Sequence, residues 1–268
     1  MYKILSVNPG STSTKFAVYE DETLVCLHTI RHTADELKPY NSLFEQYEFR
    51  KNLMLEYLKN DGIDLSDLSA VVGRGGMVRP LESGVYAVND KLIADLKSPN
   101  APVHASNLGG VLAREIAESI PGCQAFIADP IVVDEYQDVA RISGLPQMPR
   151  KSQFHALNHK AIARKYAAAN GTSYDKLKLV IAHLGGGISV AAHKNGKVID
   201  SNQGLDGYGP FSPERAGTLD AGQLVELCFS GNHTHEEIKK MLVGNGGLMA
   251  HLGINEELVA EKKAVMGD

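Results

Sequence analysis

The chain is poor in cysteine, in long apolar runs and in clustered positive charge, and each shortage narrows its function. Its three cysteines, Cys26, Cys123 and Cys228, are odd in number, far apart and without a CxxC pair. That pattern suits a reducing compartment and thiols acting as small core residues, not a disulfide framework. No apolar run approaches the length of a membrane span, and Met1-Tyr2-Lys3 leads straight into an apolar strand without a signal-peptide pattern. Lysine and arginine are dispersed and the formal net charge is −5, so the electrostatic footprint of a nucleic-acid binder is missing. The expectation is a cytoplasmic protein with no nucleic-acid or membrane partner. Its 268 residues, 43% hydrophobic and 22% charged, are enough for one large domain or two modest ones with real cores.

What is present is organised around Ile4–Tyr19, ILSVNPGSTSTKFAVY. An apolar run breaks at Asn8-Pro9-Gly10, passes four hydroxyl residues and resumes with alternating Phe16 and Val18, which reads as strand, polar turn and strand. Gly10 permits a close approach of backbone, and Ser11 to Thr14 offer hydroxyls and N–H groups ahead of Lys15, an inventory suited to phosphate. It is not a Walker A loop, because Thr14 stands where the glycine before the lysine belongs. An ordinary Ser/Thr-rich hairpin is the alternative. Lys178–Asp200, KLVIAHLGGGISVAAHKNGKVID, repeats the pattern: a shift of 175 residues sets His183 on Asn8, Gly185 on Gly10 and Gly186 on Ser11. Two such units suggest a duplicated α/β protein with a phosphate loop from each copy facing a shared cleft.

Between the loops, Phe44–Leu58 has helical spacing, and Leu68–Val72 reads as a strand running into Gly73-Arg74-Gly75-Gly76. Open α/β sheets take ligands at such strand ends, with the flanking glycines leaving the guanidinium accessible; a plain loop arginine is the other reading. His104 precedes a helix capped near Ser106, with Leu108, Val111, Leu112, Ile116 and Ile120 as its buried stripe. Asp129-Pro130, just past an apolar strand, fits either a magnesium-associated acid or a turn cap. The Pro/Gly-rich stretch from Arg141 to Ser152 marks a domain junction, giving domains 1–150 and 151–268. Ser152 opens a helix carrying His155 and His159; without an HExxH pattern these are not zinc ligands, and one of them could face the cleft. Ser201–Asp220 is long, polar and glycine-rich, which marks a functional or mobile loop, and it holds Arg215. Thr234 to Glu237 is a capping box, and Asn255 caps a last helix.

These residues together resemble the acetate kinase/butyrate kinase family of the actin-like ATPase superfamily that also holds sugar kinases. The motifs are VNPGSTSTKFAVY (7–19), VVGRGG (71–76), APVHASNLGG (101–110), ADPIVVDE (128–135), FHALNHKAIAR (154–164), AHLGGGISVAAHKNG (182–196) and DGYGPFSPERAGTLD (206–220). VGRGG, ADPIVVDE and FHALNH stand where acetate kinases carry other segments, which favours the butyrate kinase branch. The resemblance implies duplicated actin-like (ribonuclease H-like) α/β domains around a central cleft, the second one incomplete. It implies reversible transfer of the ATP γ-phosphate to a short-chain carboxylate, butyrate first, giving an acyl phosphate and ADP, with Mg2+ and a homodimeric assembly.

By the same resemblance Asn8, Ser11, Ser13 and Lys15 handle phosphate and metal at the first loop, and Gly185, Gly186 and Gly187 cradle nucleotide phosphates beside His183. Arg74 holds the acyl group with support from His104, Asp129 and Asn8 serve the metal, and His155 and Arg215 stabilise the transition state. One departure stands against this. While 175 residues separate Lys3 from Lys178, only 90 follow Lys178; the family's later glycine motif for adenosine and its terminal acidic residue have no counterpart. The expectation is a truncated chain with impaired nucleotide binding and an uncovered sheet edge or face. The alternative function is therefore a non-catalytic remnant, or one part of a split enzyme acting as a binding module.

Overall fold

Apolar residues alternate along Lys3–Pro9 (β1) and Ser13–Glu20 (β2), so Leu5, Val7, Phe16 and Val18 all turn to one face as the two strands pair in an antiparallel hairpin. This computed structural model describes residues 1–98 and 104–267. A turn with Asp21 at positive φ adds Thr23–Arg31 (β3) to the hairpin's outer edge. On the other side of β1 lie the parallel strands Leu68–Arg74 (β4) and Gln124–Ala128 (β6), with the short Val85–Ala87 (β5) antiparallel at the margin. The six-stranded order is β3-β2-β1-β4-β6-β5. After the short Ala34–Leu37 (α1), Tyr47–Asn60 (α2) packs on this sheet through Met54 and Leu58. Asp90–Leu96 (α3) precedes Asn107–Ala117 (α4), and the stripe expected from spacing, Leu108, Val111, Leu112, Ile116 and Ile120, is buried throughout.

The described chain divides into two compact units, 1–132 and 133–268. The division falls ahead of the proline-rich stretch, because the segment 133–150 is tied by hydrogen bonds to the second unit's sheet. There the Gln137 N–H donates to the Ile199 carbonyl at 3.1 Å, the Tyr136 hydroxyl to the Ser201 carbonyl at 2.9 Å, and Arg150 pairs with Asp200 at 2.8 Å. That sheet is a three-stranded meander, Lys178–His183 (β7), Ser189–Lys194 (β8) and Lys197–Ser201 (β9), in the order β7-β8-β9. Asn195 and Gly196 both have positive φ, the I′ geometry their sequence calls for. Ala156–Ala169 (α5) covers one face through Ala163 and Ala167 against Tyr174, Leu179 and Ile181. The opposite face leaves Val180 77% exposed.

The expected start of α5 at Ser152 is corrected by the structure: Ser152 is buried with its hydroxyl on the Val133 carbonyl, and the helix begins after His155. Ala221–Phe229 (α6), capped by Asp220, buries none of its residues; His235–Leu242 (α7) has the full capping box. Leu248–Leu252 (α8) and Glu257–Val265 (α9) complete the unit, and Asn255 bonds Glu214 instead of capping α9. Among the described residues no helix is long and apolar enough to cross a membrane.

Candidate functional site

The first loop, Gly10 to Thr14, is set from below by a residue that pattern reading did not single out. Arg50, on α2 and fully buried, donates from Nη1 to the carbonyls of Gly10 and Ser13 (both 2.9 Å) and from Nη2 to that of Ser11 (2.9 Å). Gln46 Oε1 receives its Nε at 3.2 Å, and the His32 N–H takes the Thr12 carbonyl at 2.9 Å. Four successive carbonyls thus turn inward. The loop's outer side carries exposed Ser11 and Thr12 with no carbonyl of 10–13 turned toward it, an anion-receptive arrangement. Thr14 is the exception: its buried hydroxyl bonds Arg50 at 3.1 Å and His32 at 2.8 Å, so it serves the fold and not a ligand. Only a helical charge among polar neighbours marked Arg50 in the sequence, and nothing in that pattern tells a buried arginine from a solvated one.

Register then aligns three side chains. Asn8 on β1 lies opposite Lys15 on β2, and Val7 lies opposite Gly73 on β4, which brings Arg74 beside Asn8. The Arg74 guanidinium donates to Asn8 Oδ1 at 3.4 Å. Lys15, Asn8 and Arg74 therefore form a row of two cations about an amide across β2, β1 and β4, at the carboxyl ends of the parallel strands β1 and β4. Surrounding protein lowers the Arg74 pKa by desolvation. The glycines around it have a role other than access. A Cβ on Gly73 would overlap the Gly109 backbone, and one on Gly76 would lie 2.6 Å from Asn107 Oδ1. They let β4 pack directly on the start of α4, which makes VGRGG and NLGG one packing unit.

Asp129 follows Ala128, the register partner of Arg74, and is buried at positive φ. Its Oδ1 accepts from the Ser83 hydroxyl at 2.6 Å and the Gly84 N–H at 2.8 Å, the turn-capping bonds that were one of its two readings. His104 sits ahead of α4; its Nδ1 lies 2.7 Å from the Ser106 hydroxyl and accepts the Ser106 N–H at 3.2 Å. Ser106 holds the N-cap position without a side-chain cap bond, since its hydroxyl is taken by His104. Ala101, Pro102 and Val103 of that motif lie outside the described residues.

In the second unit His183 ends β7, and the 184–188 loop leads to Ser189 on β8. The loop between the last register partners, 184–188, is one residue longer than the 10–13 loop of the first hairpin. None of Gly185, Gly186 and Gly187 needs positive φ. A Cβ on Gly187 would overlap the Arg215 guanidinium, so a side chain there displaces that group, whereas Gly186 faces open surroundings. Arg215 also donates to the Gly204 carbonyl, and the Ser212 hydroxyl holds the Gly186 carbonyl at 2.8 Å. His155 stacks on His183, ring centroids 3.8 Å apart and planes within 8°. The Asn158 amide lies 2.9 Å from His183 Nδ1, and Ser189 Oγ lies 2.9 Å from His155 Nδ1. The structure thus groups His155, His183, Gly185–Gly187 and Arg215 in one unit, and Asn8, Ser11, Ser13, Lys15, Arg74, His104 and Asp129 in the other.

In the unit that holds them, the Asp129 carboxylate and the Asn8 amide oxygen are hard oxygen donors, the ligand type that suits magnesium. Among the described residues one set of metal-type side chains converges, Cys26, His28 and Asp61, with donor atoms within 4.8 Å of one another. It lies on β3 and past the end of α2, and its thiol is not a magnesium ligand.

Comparison with solved structures sets the fold. An acetate kinase from Porphyromonas gingivalis superposes with a TM-score of 0.78 at 22% identity, covering 100% of this chain and 74% of that one. A propionate kinase from Francisella tularensis gives 0.74 at 20% identity, with 100% and 74% covered. The architecture is thus the actin-like α/β architecture expected from the sequence. Sequence relatives are closer: butyrate kinase 2 of Clostridium acetobutylicum is 51% identical over 267 residues, 100% of this chain and 75% of the relative. A probable butyrate kinase of Bacteroides thetaiotaomicron is 55% identical over 266 residues, 99% and 75%. The model of the Acetokinase family matches residues 146–266. The chain belongs to the acetokinase family.

Proposed function

We propose that the protein is a carboxylate kinase that moves the γ-phosphoryl group of ATP reversibly onto a short-chain fatty acid, butyrate in preference to acetate. The observation that carries this reading is the row Lys15–Asn8–Arg74 beside a loop whose carbonyls are all turned inward. Relatives named butyrate kinase at 51% and 55% identity support the choice of acid.

The chemistry asks for charge neutralisation and alignment, not for a base. A carboxylate is already anionic at neutral pH, so one of its oxygens attacks the γ-phosphorus while the bond to the β,γ-bridging oxygen breaks and ADP leaves with that electron pair. Arg74 holds the acid as a planar two-pronged donor, with His104 supporting the acyl side. Loop N–H groups, Ser11, Ser13 and Lys15 receive the phosphoryl oxygens, and Gly185–Gly187 with His183 cradle the nucleotide phosphates. His155 and Arg215 meet charge that develops on the transferring group. Asp129 and Asn8 hold magnesium, which neutralises phosphate charge when bound. The reading carries with it a cytoplasmic location and a homo-oligomer.

A hydroxamate assay for acyl phosphate, with ATP, magnesium and acetate, propionate, butyrate or isobutyrate, tests it. Signal with butyrate above acetate is expected; because one methylene is worth about 1–3 kcal/mol, the preference is a graded one. Since the chain spans 75% of its relatives' length, a second arm adds a polypeptide corresponding to the quarter of their length that it does not cover. Signal only in that arm identifies one part of a split enzyme, and no acyl phosphate from any acid in either arm overturns the reading in favour of a binding module.

A further inference from the structure

Behind the glycine loop of the second unit runs a chain of buried polar side chains to which the reaction above assigns nothing. It starts at Tyr174, whose hydroxyl lies 2.6 Å from His193 Nδ1. His193 Nε2 lies 3.2 Å from His159 Nδ1, the two rings nearly coplanar at 7° with centroids 5.5 Å apart, as an edge-to-edge hydrogen bond requires. His159 Nε2 lies 2.9 Å from Ser189 Oγ, and the same oxygen lies 2.9 Å from His155 Nδ1 and 3.3 Å from the His155 backbone N–H. Tyr174, His193, His159 and Ser189 are all buried; His155, at the end, is only half-buried.

A neutral imidazole has one N–H and one lone pair, so fixing one ring nitrogen fixes the other. Both internal rings stay neutral at ordinary pH: burial holds His159 and His193 down at about 4, with the Lys160 charge also acting on His193. Lys160 is itself pinned by Glu135 at 2.6 Å and stands 5.5 Å over the Tyr174 ring. Such a chain can run in two directions, and the tyrosine chooses. A phenol is a much stronger donor than a neutral imidazole N–H, and an imidazole lone pair a stronger acceptor than a phenol oxygen. Tyr174 therefore donates to His193 Nδ1, His193 Nε2–H to His159 Nδ1, and His159 Nε2–H to Ser189 Oγ. With the His155 N–H occupying the second lone pair of Ser189, the serine hydrogen goes to His155 Nδ1.

We propose that Tyr174, His193, His159 and Ser189 are positioning residues that lock His155 in the tautomer with its hydrogen on Nε2, so that it presents an N–H and not a lone pair to the phosphoryl group. The proposal rests on the transfer role of His155 given above for its purpose, but not for its test. Across the stack, Asn158 acts likewise on His183: an amide N–H on Nδ1 leaves that ring's hydrogen on Nε2 as well. The wrong tautomer would aim a lone pair at an anionic oxygen, and misdirected imidazoles of this kind are known to be costly in hydrolases.

The test is long-range proton–nitrogen correlation NMR on the 15N-labelled full chain at pH 8, where the histidine tautomers are read directly. Expected is the Nε2–H form for His155, His159 and His193. Tyr174→Phe removes the donor that sets direction, so His155 becomes a mixture of tautomers, and turnover falls roughly 10–100-fold with the KM for ATP and acid unchanged. Ser189→Ala cuts the last link: His155 becomes mixed while His159 and His193 keep Nε2–H. This second variant decides the matter if Tyr174→Phe does not fold. A parent His155 with its hydrogen on Nδ1, or a His155 whose tautomer is untouched by either substitution, overturns the proposal. A tautomer change in a chain that makes no acyl phosphate, alone or with the added polypeptide, upholds the network and removes the kinase reading.

Discussion

The two glycine loops have the same layout of strand, turn and strand, yet they are held by opposite means. The first is fixed by a charge: fully buried Arg50 binds three of its carbonyls, and no glycine in it has a positive φ. The second has no buried cation under its carbonyls: the Ser212 hydroxyl holds the Gly186 carbonyl, Arg215 lies against Gly187, and His155 is tied to Ser189 behind it. The sheets around them diverge too. β1 continues into β4, β6 and β5, whereas β7 is the edge of its sheet, and the face carrying Val180 is open. A shared motif therefore specifies the turn and leaves the surrounding element to decide whether a buried cation or buried histidines support it.

The sharpest way to test this contrast is at the cations facing each loop. Arg74→Ala and Arg215→Ala should each lower turnover by roughly two to three orders of magnitude, the scale of losing one stabiliser of developing charge. Arg74→Lys should not restore it, since a point charge cannot replace a planar fork; steady-state kinetics on the acyl phosphate assay decides.

Arg50→Met should act on folding in one unit alone. It strips the Gly10, Ser11 and Ser13 carbonyls of their partner, at about 3 kcal/mol or more. Hydrogen exchange should then quicken in β1 and β2 and stay unchanged in β7 and β8; uniform loss of protection would mean the loops are not independently supported.

Acid should pick out the other unit. His159 and His193 have folded pKa values of about 4, below the unfolded value near 6.5, so the unfolded chain binds more protons between those limits. Their neutral burial stabilises above about pH 6.5 and that contribution is lost as pH falls toward 4, on the order of 3 kcal/mol for one proton of the coupled pair. Denaturant unfolding from pH 7 to 4.5 should show this slope, and His193→Gln should flatten it.

The smallest effects separate the glycines. Gly187→Ala must displace Arg215 and should depress activity, while Gly186→Ala meets nothing within 4 Å and should stay within about 0.5 kcal/mol of the parent. Gly10→Ala meets the rotatable Ser13 hydroxyl at 3.0 Å and the Ser13 carbonyl oxygen at an ordinary 3.5 Å, and should also be mild. Thermal melts with parallel turnover measurements would rank the three.

Much of this molecule could be read before folding it. Alternation along β1, β2 and β4, the α4 stripe, the Asn195-Gly196 turn and the Thr234 capping box depend on near neighbours, and local periodicity carries them. The loop motifs and their spacing named the family. Arg50, the inward carbonyls, the row from Lys15 to Arg74 and the histidine chain were not legible, because each joins residues distant in sequence. The packing role of Gly73 and Gly76 was hidden for the same reason: it is the contact between β4 and α4, which spacing does not encode.

The sequence by itself determined which segments become strands, where the two turns fall and what chemical groups they carry, since backbone sterics and side-chain period act over a few residues. Only the tertiary structure decided which of those groups are buried, and burial turns Arg50 into a clasp, His159 and His193 into neutral relays, and Thr14 into part of the frame, because desolvation and hydrogen-bond partners are set by what packs around a residue and not by its neighbours along the chain.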